Sequence, residues 1–427
     1  MTGAVRHVRA TNAPGVPSGP GTVAALYVHI PFCAHKCPYC DFASRATARN
    51  DARMLPYLGK ILEQYSELRS MGLLEGCDTA YVGGGTPPML GGGLVDLSLA
   101  IGELGTLSEF SMEANPESLP ADLVGELAQT PLTRVSLGVQ STDDVELAAL
   151  GRTHGARDAL AAVESVASSG LAVSCDLMCA IPHQSDATWR RSLADVLSAG
   201  ATHVSVYPLS IEEKTPFGAR YAGTRPDFND EAVQARRMEI ACDALAAVGL
   251  RRYEVASYAR PGRECRHNQT YWEGRSYLGI GVAAAGMLDR TGYESLRRAC
   301  PQLPVPLPGI ARVRLVVKDD LDAFLASSSC ADLHFSGEML TERQAVAEDL
   351  MLGARLARGI GEDLLSRARG VVGADALDAA LGRVHRSGLA TREGGSLVPT
   401  RRGWLLGNEL YGELWGLSEG TIATFAC

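Results

Sequence analysis

Tyr27-Val-His-Ile-Pro-Phe-Cys33-Ala-His-Lys-Cys37-Pro-Tyr-Cys40 opens as a β-type run, breaks at Pro31, and continues as a loop carrying three cysteines in a C-x3-C-x2-C spacing. Apolar and β-branched runs of similar length recur at Thr79 to Gly85, Glu109 to Asn115, Arg134 to Gln140, Val173 to Cys179 and His203 to Ser210. Between them lie stretches with helical spacing, among them Tyr57 to Met71, Leu94 to Leu104, Asp186 to Ala199 and Asn229 to Val248. Strands that alternate with helices form a parallel sheet, because each helix returns the chain to the same end of the next strand.

Six such units starting at Ala25 imply an α/β fold, a partial (βα)6 TIM-like barrel over residues 25–260. The loops that follow barrel strands open on one face, so functional residues belong there. The unusual residues obey this. The cysteines follow the first strand, Gly83-Gly84-Gly85-Thr86 ends the second, Glu113 closes the third and Gln140 the fourth, while Asp176 lies on the fifth.

Residues 1–24 are rich in Gly, Pro, Ala and Thr without periodicity and read as a flexible lead-in. Beyond the barrel, an apolar run from Tyr253 to Ala259 leads to Cys265-Arg-His267-Asn268-Gln-Thr-Tyr271-Trp272; residues 261–339, with Pro301 to Pro308, read as barrel extension and connector. From residue 340 the pattern turns helical at Thr341 to Leu356, Gly361 to Ala368 and Ala374 to Ser387. A short hairpin around Glu393-Gly394-Gly395 and a helix from Arg401 toward Trp415 follow, so residues 340–427 read as a winged-helix-like α+β domain.

The chain has 427 residues, 46% of them hydrophobic, and a net charge of -9 that argues against a nucleic-acid-coating surface. The arginines of the C-terminal part are diluted by acidic residues, so no nucleic-acid partner is expected. No segment has the roughly 18 uninterrupted apolar residues of a membrane span, nor does the start carry a signal-peptide core; a cytoplasmic protein is expected. There, eleven cysteines do not make a disulfide framework. Eight are scattered, in the manner of plain buried residues; Cys33, Cys37 and Cys40 are not.

Thiolates ligate iron–sulfur clusters, and a four-iron cubane normally takes four of them. This run supplies three, which leaves one iron open to a chelating amino acid. A structural zinc completed by His29 or His35 is the alternative. An electron-transfer ferredoxin is another, but its short motif needs a fourth cysteine that Phe42 and Ser44 do not provide. Glycines at 83–85 let a ligand approach the backbone closely, which suits an open cluster rather than a closed zinc site.

From Tyr27-Val-His-Ile-Pro-Phe-Cys33 through Cys40-Asp-Phe42 the chain resembles the radical S-adenosylmethionine proteins related to anaerobic coproporphyrinogen III oxidase, and within them the HemW-type haem chaperones. The likeness runs from about residue 25 to 417. It implies a 4Fe-4S cluster on Cys33, Cys37 and Cys40, and S-adenosylmethionine contacts from Gly84, Gly85 and Thr86. It carries over Glu113 in Ser-Met-Glu-Ala-Asn as the ribose-binding acid, and Tyr27, Tyr39, Gln140, Arg152 and Asp176 as members of the cofactor pocket. It further implies electron transfer from the cluster into the sulfonium, fed by a low-potential donor such as a flavodoxin.

Two functions fit that resemblance: decarboxylation of coproporphyrinogen III, or carriage of haem to an acceptor protein that the sequence does not name. The oxidases have an additional cysteine where this chain has Phe42, and a longer N-terminal segment. His267-Asn268-Gln-Thr-Tyr271-Trp272 matches the H-N-x-x-Y-W signature of the haem chaperones, which makes His267 a candidate haem ligand; as residues alone, the same motif reads more readily as a hydrogen-bonded histidine beside packed aromatics. No C-x-x-C-H motif indicates covalent haem attachment. HemW-type chains continue G-P-G-A-H-S where this one reads Gly281-Val-Ala-Ala-Ala-Gly286, so that histidine is lost. Homodimerisation is compatible with the resemblance.

Overall fold

The structure, a computed structural model, describes residues 19 and 21–427. Six parallel strands form the expected partial barrel: β1 (Ala25–Ile30), β2 (Thr79–Gly84), β3 (Glu109–Ala114), β4 (Arg134–Gln140), β5 (Ala172–Cys179) and β6 (His203–Pro208), paired in that order. β1 aligns Ala25 with Thr79 and Ile30 with Gly84, so the cysteine loop and the glycine run leave the sheet side by side. The strands are buried almost without interruption because helices cover the sheet from outside, among them Met54–Ser70, Gly92–Gly102, Ala156–Ser168, Asp186–Ser198 and Glu231–Ala247. Their apolar stripes meet Val28, Val82, Met112, Val135 and Val204 in one continuous core.

The barrel does not close. Ser257–Ala259 runs antiparallel to β6. On the other side β7 (Tyr277–Ile280) lies parallel to β1, and the strands Ala285–Asp289, Ile310–Val317, Phe335–Thr341 and Ala423–Ala426 follow in antiparallel order, so a single sheet of 13 strands spans the molecule. Sequence reading treated this stretch only as extension and connector. Over Val313–Val317 buried positions alternate with more exposed ones, as in a strand covered on one face.

Two expectations are corrected. Residues 1–18 and 20 of the lead-in lie outside the described residues, but its last positions are not loose. The Val23 and Ala24 amides donate to Leu73 and Ser276 carbonyls at 3.0 and 2.8 Å, and both side chains are buried. The helix expected from Arg401 toward Trp415 divides at Leu406 into Arg401–Leu405 and Gly407–Trp415.

The C-terminal helices Glu342–Gly353, Glu362–Val372 and Ala374–Arg386 and the hairpin Ala390–Glu393/Ser396–Pro399 build a second apolar core around Val346, Leu350, Leu377, Val384, Leu397 and Leu414. These elements have the winged-helix-like α+β pattern expected, except that the last strand of residues 340–427, Ala423–Ala426, returns to the 13-stranded sheet. Among the described residues no helix is long and apolar enough to cross a membrane.

Candidate functional site

At the C-terminal mouth of the barrel, a cavity of about 540 Å³ is lined by Cys33, Cys37, Cys40, Gly84, Gly85, Glu113, Gln140, Arg152 and Asp176. Tyr39 and Tyr207 complete its wall. Thr86 lies just behind the glycines, its hydroxyl donating to Cys33 Sγ at 3.3 Å. Tyr27 lines a second, deeper cavity of about 200 Å³ that shares Glu113, Ser136, Asp176 and Tyr207 with the first. Glu113 and Asp176 therefore form the partition between an outer and an inner chamber.

The cysteine loop is fastened at several points. Lys36 donates to the Phe42 and Ser44 carbonyls at 2.9 and 3.0 Å, and the Cys40 amide turns back onto the Cys37 carbonyl at 3.0 Å. Tyr39 packs edge-on to Phe217, whose amide donates to Pro38 O. The glycines are dictated by space: a Cβ on Gly85 would lie 2.7 Å from Phe32 O and 2.8 Å from Ile30 O, and one on Gly84 would strike the His29 ring. Gly84 also has φ +109°, open to glycine at little cost. Gln140 takes φ +65° at the end of β4, a conformation unusual for its type that directs the chain out of the sheet at the pocket wall.

One network serves the thiols. Arg152, nearly buried, donates to Asn115 Oδ1 at 2.7 Å and Gly138 O at 2.9 Å, and its Nη1 lies 3.4 Å from Cys37 Sγ. Asn115 in turn donates to the Thr86 hydroxyl at 2.9 Å. Burial pushes the Cys33 thiol up, with the Thr86 hydrogen bond opposing it. Asn115 was missed as a site residue. It stands two places after Glu113 in the motif already singled out, and its distance from the cysteines in sequence hid its role.

The carboxylates are held differently. Glu113 accepts from Tyr81 Oη at 3.0 Å and from the Gly84 amide at 2.9 Å. Burial pushes its carboxyl up to about 7, the Gly84 amide opposing and neighbouring Asp176 adding. Asp176 accepts from Ser136 Oγ at 3.2 Å, and burial raises it to about 6 against the Ser205 and Ser136 hydroxyls.

The donor set fits a cubane with three protein ligands: three free thiols on one cavity wall, a guanidinium and a hydroxyl beside two of them, and a glycine edge that a Cβ would fill. The Nε of Arg152 is buried without a protein partner. Among the described residues no three His, Cys, Asp or Glu side chains converge as one ion requires; thiolates on separate irons of a cubane need no such convergence.

His267 lies apart from the other site residues. It sits on the Arg266–Trp272 helix at the opposite, inner end of the barrel, 1% exposed. Its Nδ1 lies 3.0 Å from the Thr79 hydroxyl and its Nε2 2.7 Å from Tyr271 Oη. Both ring nitrogens are engaged, burial holds the ring neutral with its pKa down to about 4, and the 200 Å³ chamber beside it is smaller than the roughly 300 Å³ at which small-molecule pockets begin. Residues 281–286 line neither chamber. Ala285, at the place of the lost histidine, pairs with Val316 in the sheet.

Residues 27–196 match the Radical SAM superfamily model and residues 340–406 the HemN C-terminal domain. The chain is 30% identical to the Heme chaperone HemW of Bacillus subtilis (strain 168) over 399 residues, 92% of this chain and 99% of that protein. It is 36% identical to the HemW of Mycobacterium tuberculosis (strain ATCC 25618 / H37Rv) over 293 residues, 66% of this chain and 74% of the relative. Among solved structures, coproporphyrinogen III oxidase (HemN) from Escherichia coli, described as a radical SAM enzyme, aligns with a TM-score of 0.72 over 92% of this chain and 90% of that one; at 18% identity this is a likeness of fold.

Proposed function

The chain belongs to the HemW family of haem chaperones within the radical S-adenosylmethionine superfamily, and from that premise we propose that it binds a 4Fe-4S cluster through Cys33, Cys37 and Cys40, seats S-adenosylmethionine in the outer chamber, and carries haem to an acceptor protein. The observation that carries the reading is the meeting of three thiols, a glycine edge and the polar residues Glu113, Gln140, Arg152 and Asp176 on a single cavity. When bound, the cluster supplies an electron for reductive cleavage of a sulfonium.

The chain's own residues divide the work. Arg152 and Thr86 offset thiolate charge at Cys37 and Cys33. Gly84 and Gly85 let the methionine moiety approach the backbone, and Glu113 accepts from the ribose hydroxyls while its own donors keep it oriented. Gln140 and Asp176 line the nucleoside side, Tyr39 closes the cysteine loop over the chamber, and Tyr27 backs the partition from the inner side.

Anaerobic reconstitution should give about four irons per chain, lost when the three cysteines are replaced by Ala, and S-adenosylmethionine should change the EPR signal of the reduced cluster. Stoichiometric zinc without sulfide overturns the reading. Haem titration should give a Soret band that His267→Ala leaves in place, since that ring is committed inside the fold. Incubation with coproporphyrinogen III, reductant and S-adenosylmethionine should yield no protoporphyrinogen IX; its appearance would replace haem carriage with oxidase chemistry.

A further inference from the structure

The Arg266–Trp272 helix closes the end of the barrel away from the cysteine loop, and its N-terminus is fixed from inside. Glu109, at the start of β3, accepts from the Arg266 and His267 amides at 3.0 and 3.2 Å and from Cys265 Sγ at 3.2 Å. Arg134 pairs with Glu109 at 3.3 Å and ties it to the Arg263 and Glu264 carbonyls. The helix is thereby a rigid floor.

From that floor the His267 ring stacks on Tyr81 at 5.0 Å with 30° between planes, and the Tyr27 ring stacks on Tyr81 from the side of β1 at 6.3 Å and 25°. Tyr271 stands edge-on to both His267 and Tyr277, at 5.0 and 4.5 Å. Tyr81 is thus held between two rings, and its hydroxyl donates to one acceptor on the partition, Glu113 Oε1. The Gly84 amide takes the other oxygen. Each carboxylate oxygen is pinned once, and the carboxylate borders both chambers.

We propose that the H-N-x-x-Y-W helix serves the cofactor site as a positioning element: His267 holds the Tyr81 ring, and Tyr81 fixes Glu113 in the orientation that receives the ribose of S-adenosylmethionine. This rests on the reading of Glu113 given under Proposed function. Tyr81 and His267 are positioning residues that touch no cofactor.

Charge accounts for a readout that packing alone does not supply. The groups facing Glu113 are Asp176 from β5, Tyr81 from β2, Tyr27 from β1, Tyr207 from β6 and Tyr271 from the floor helix. Tyr81 is the side chain that donates to the carboxylate and lowers its pKa; Asp176 raises it. Ribose binding by an ionised Glu113 strengthens as pH rises through its pKa, and loss of the Tyr81 donor moves that midpoint upward.

The test uses reconstituted protein, with S-adenosylmethionine and free methionine titrated separately against the cluster EPR signal from pH 6 to 9. Tyr81→Phe should weaken S-adenosylmethionine about tenfold at pH 7, leave methionine unchanged and shift the pH midpoint upward. His267→Asn should act in the same direction by about threefold, and in the double variant its effect should vanish, because it works through Tyr81. Wild-type affinity and midpoint in Tyr81→Phe overturn the proposal, as does equal loss of methionine and S-adenosylmethionine, which marks plain structural damage. Should His267→Asn fail to fold, Tyr81→Phe alone decides. A wild-type protein whose cluster ignores S-adenosylmethionine fails the underlying reading instead, an outcome the Tyr81 comparison cannot mimic.

Discussion

At the scale of the residue, Glu113 carries a trade between stability and binding. Its folded carboxyl is raised from an ordinary value of 4.5 to about 7, so its contribution favours folding below about pH 4.5 and is lost as pH rises through 7. In cofactor-free protein Glu113→Gln should therefore stabilise by on the order of 3 kcal/mol at pH 8, and by nothing near pH 4, in urea unfolding at both pH values. The same change should weaken S-adenosylmethionine by at least tenfold, because a neutral amide accepts more weakly from a diol. Glu113 was named through the resemblance and its place among other polar strand-end residues, because a single acid at the end of a strand reads equally as an ordinary hydrogen-bonding group. His267 is harder to read: a histidine beside aromatic residues looks alike as a haem ligand and as a packed core ring, and its bonds to Thr79 and Tyr271 are not visible in the sequence.

At the scale of the element, the six barrel strands were legible to within a residue or two, since buried parallel strands have a continuous apolar composition that loops do not share. The Arg266–Trp272 helix was not, because seven residues span barely two turns and show no period. Two turns now make opposite predictions. The Gly85 amide donates to Ile30 O at 2.7 Å and the Thr86 amide to Phe32 O at 2.8 Å, so β2 and the start of the cysteine loop are sewn together with no room for a methyl group. Gly85→Ala should cost roughly 1–3 kcal/mol and lower both iron content and S-adenosylmethionine affinity, measured by iron assay and EPR titration. Ala283, in the divergent segment after β7, has φ +55° with a Cβ that this conformation disfavours. Ala283→Gly should raise the midpoint of thermal unfolding, by up to about 1 kcal/mol of stability, with cluster loading unchanged because the turn lines neither chamber.

At the scale of the whole molecule, the C-terminal helices are joined to the sheet by a buried ionic knot centred on a strand that sequence reading did not resolve. Arg312, in Ile310–Val317, pairs with Glu348 at 2.8 Å and Asp349 at 2.7 Å on the Glu342–Gly353 helix, Arg314 adds a bond to Glu348 at 2.6 Å, and Arg367 reaches Asp349 at 3.3 Å. No periodicity reveals such a knot, since Arg312 and Arg314 lie more than thirty residues from Glu348 and Asp349 and each reads alone as a surface charge. Both carboxylates are below a tenth exposed, so they are tolerable only while the guanidinium is present. Arg312→Ala should cost about 3–5 kcal/mol at pH 8 in denaturant unfolding, far more than an exposed pair. Burial already holds Asp349 above its ordinary value against the pull of Arg312 and Arg367, and removal of Arg312 raises it further. A raised carboxyl destabilises only where it is ionised, so the deficit of Arg312→Ala should shrink steadily as pH falls toward 5. A deficit independent of pH would instead assign the loss to packing of the arginine stem between sheet and helix.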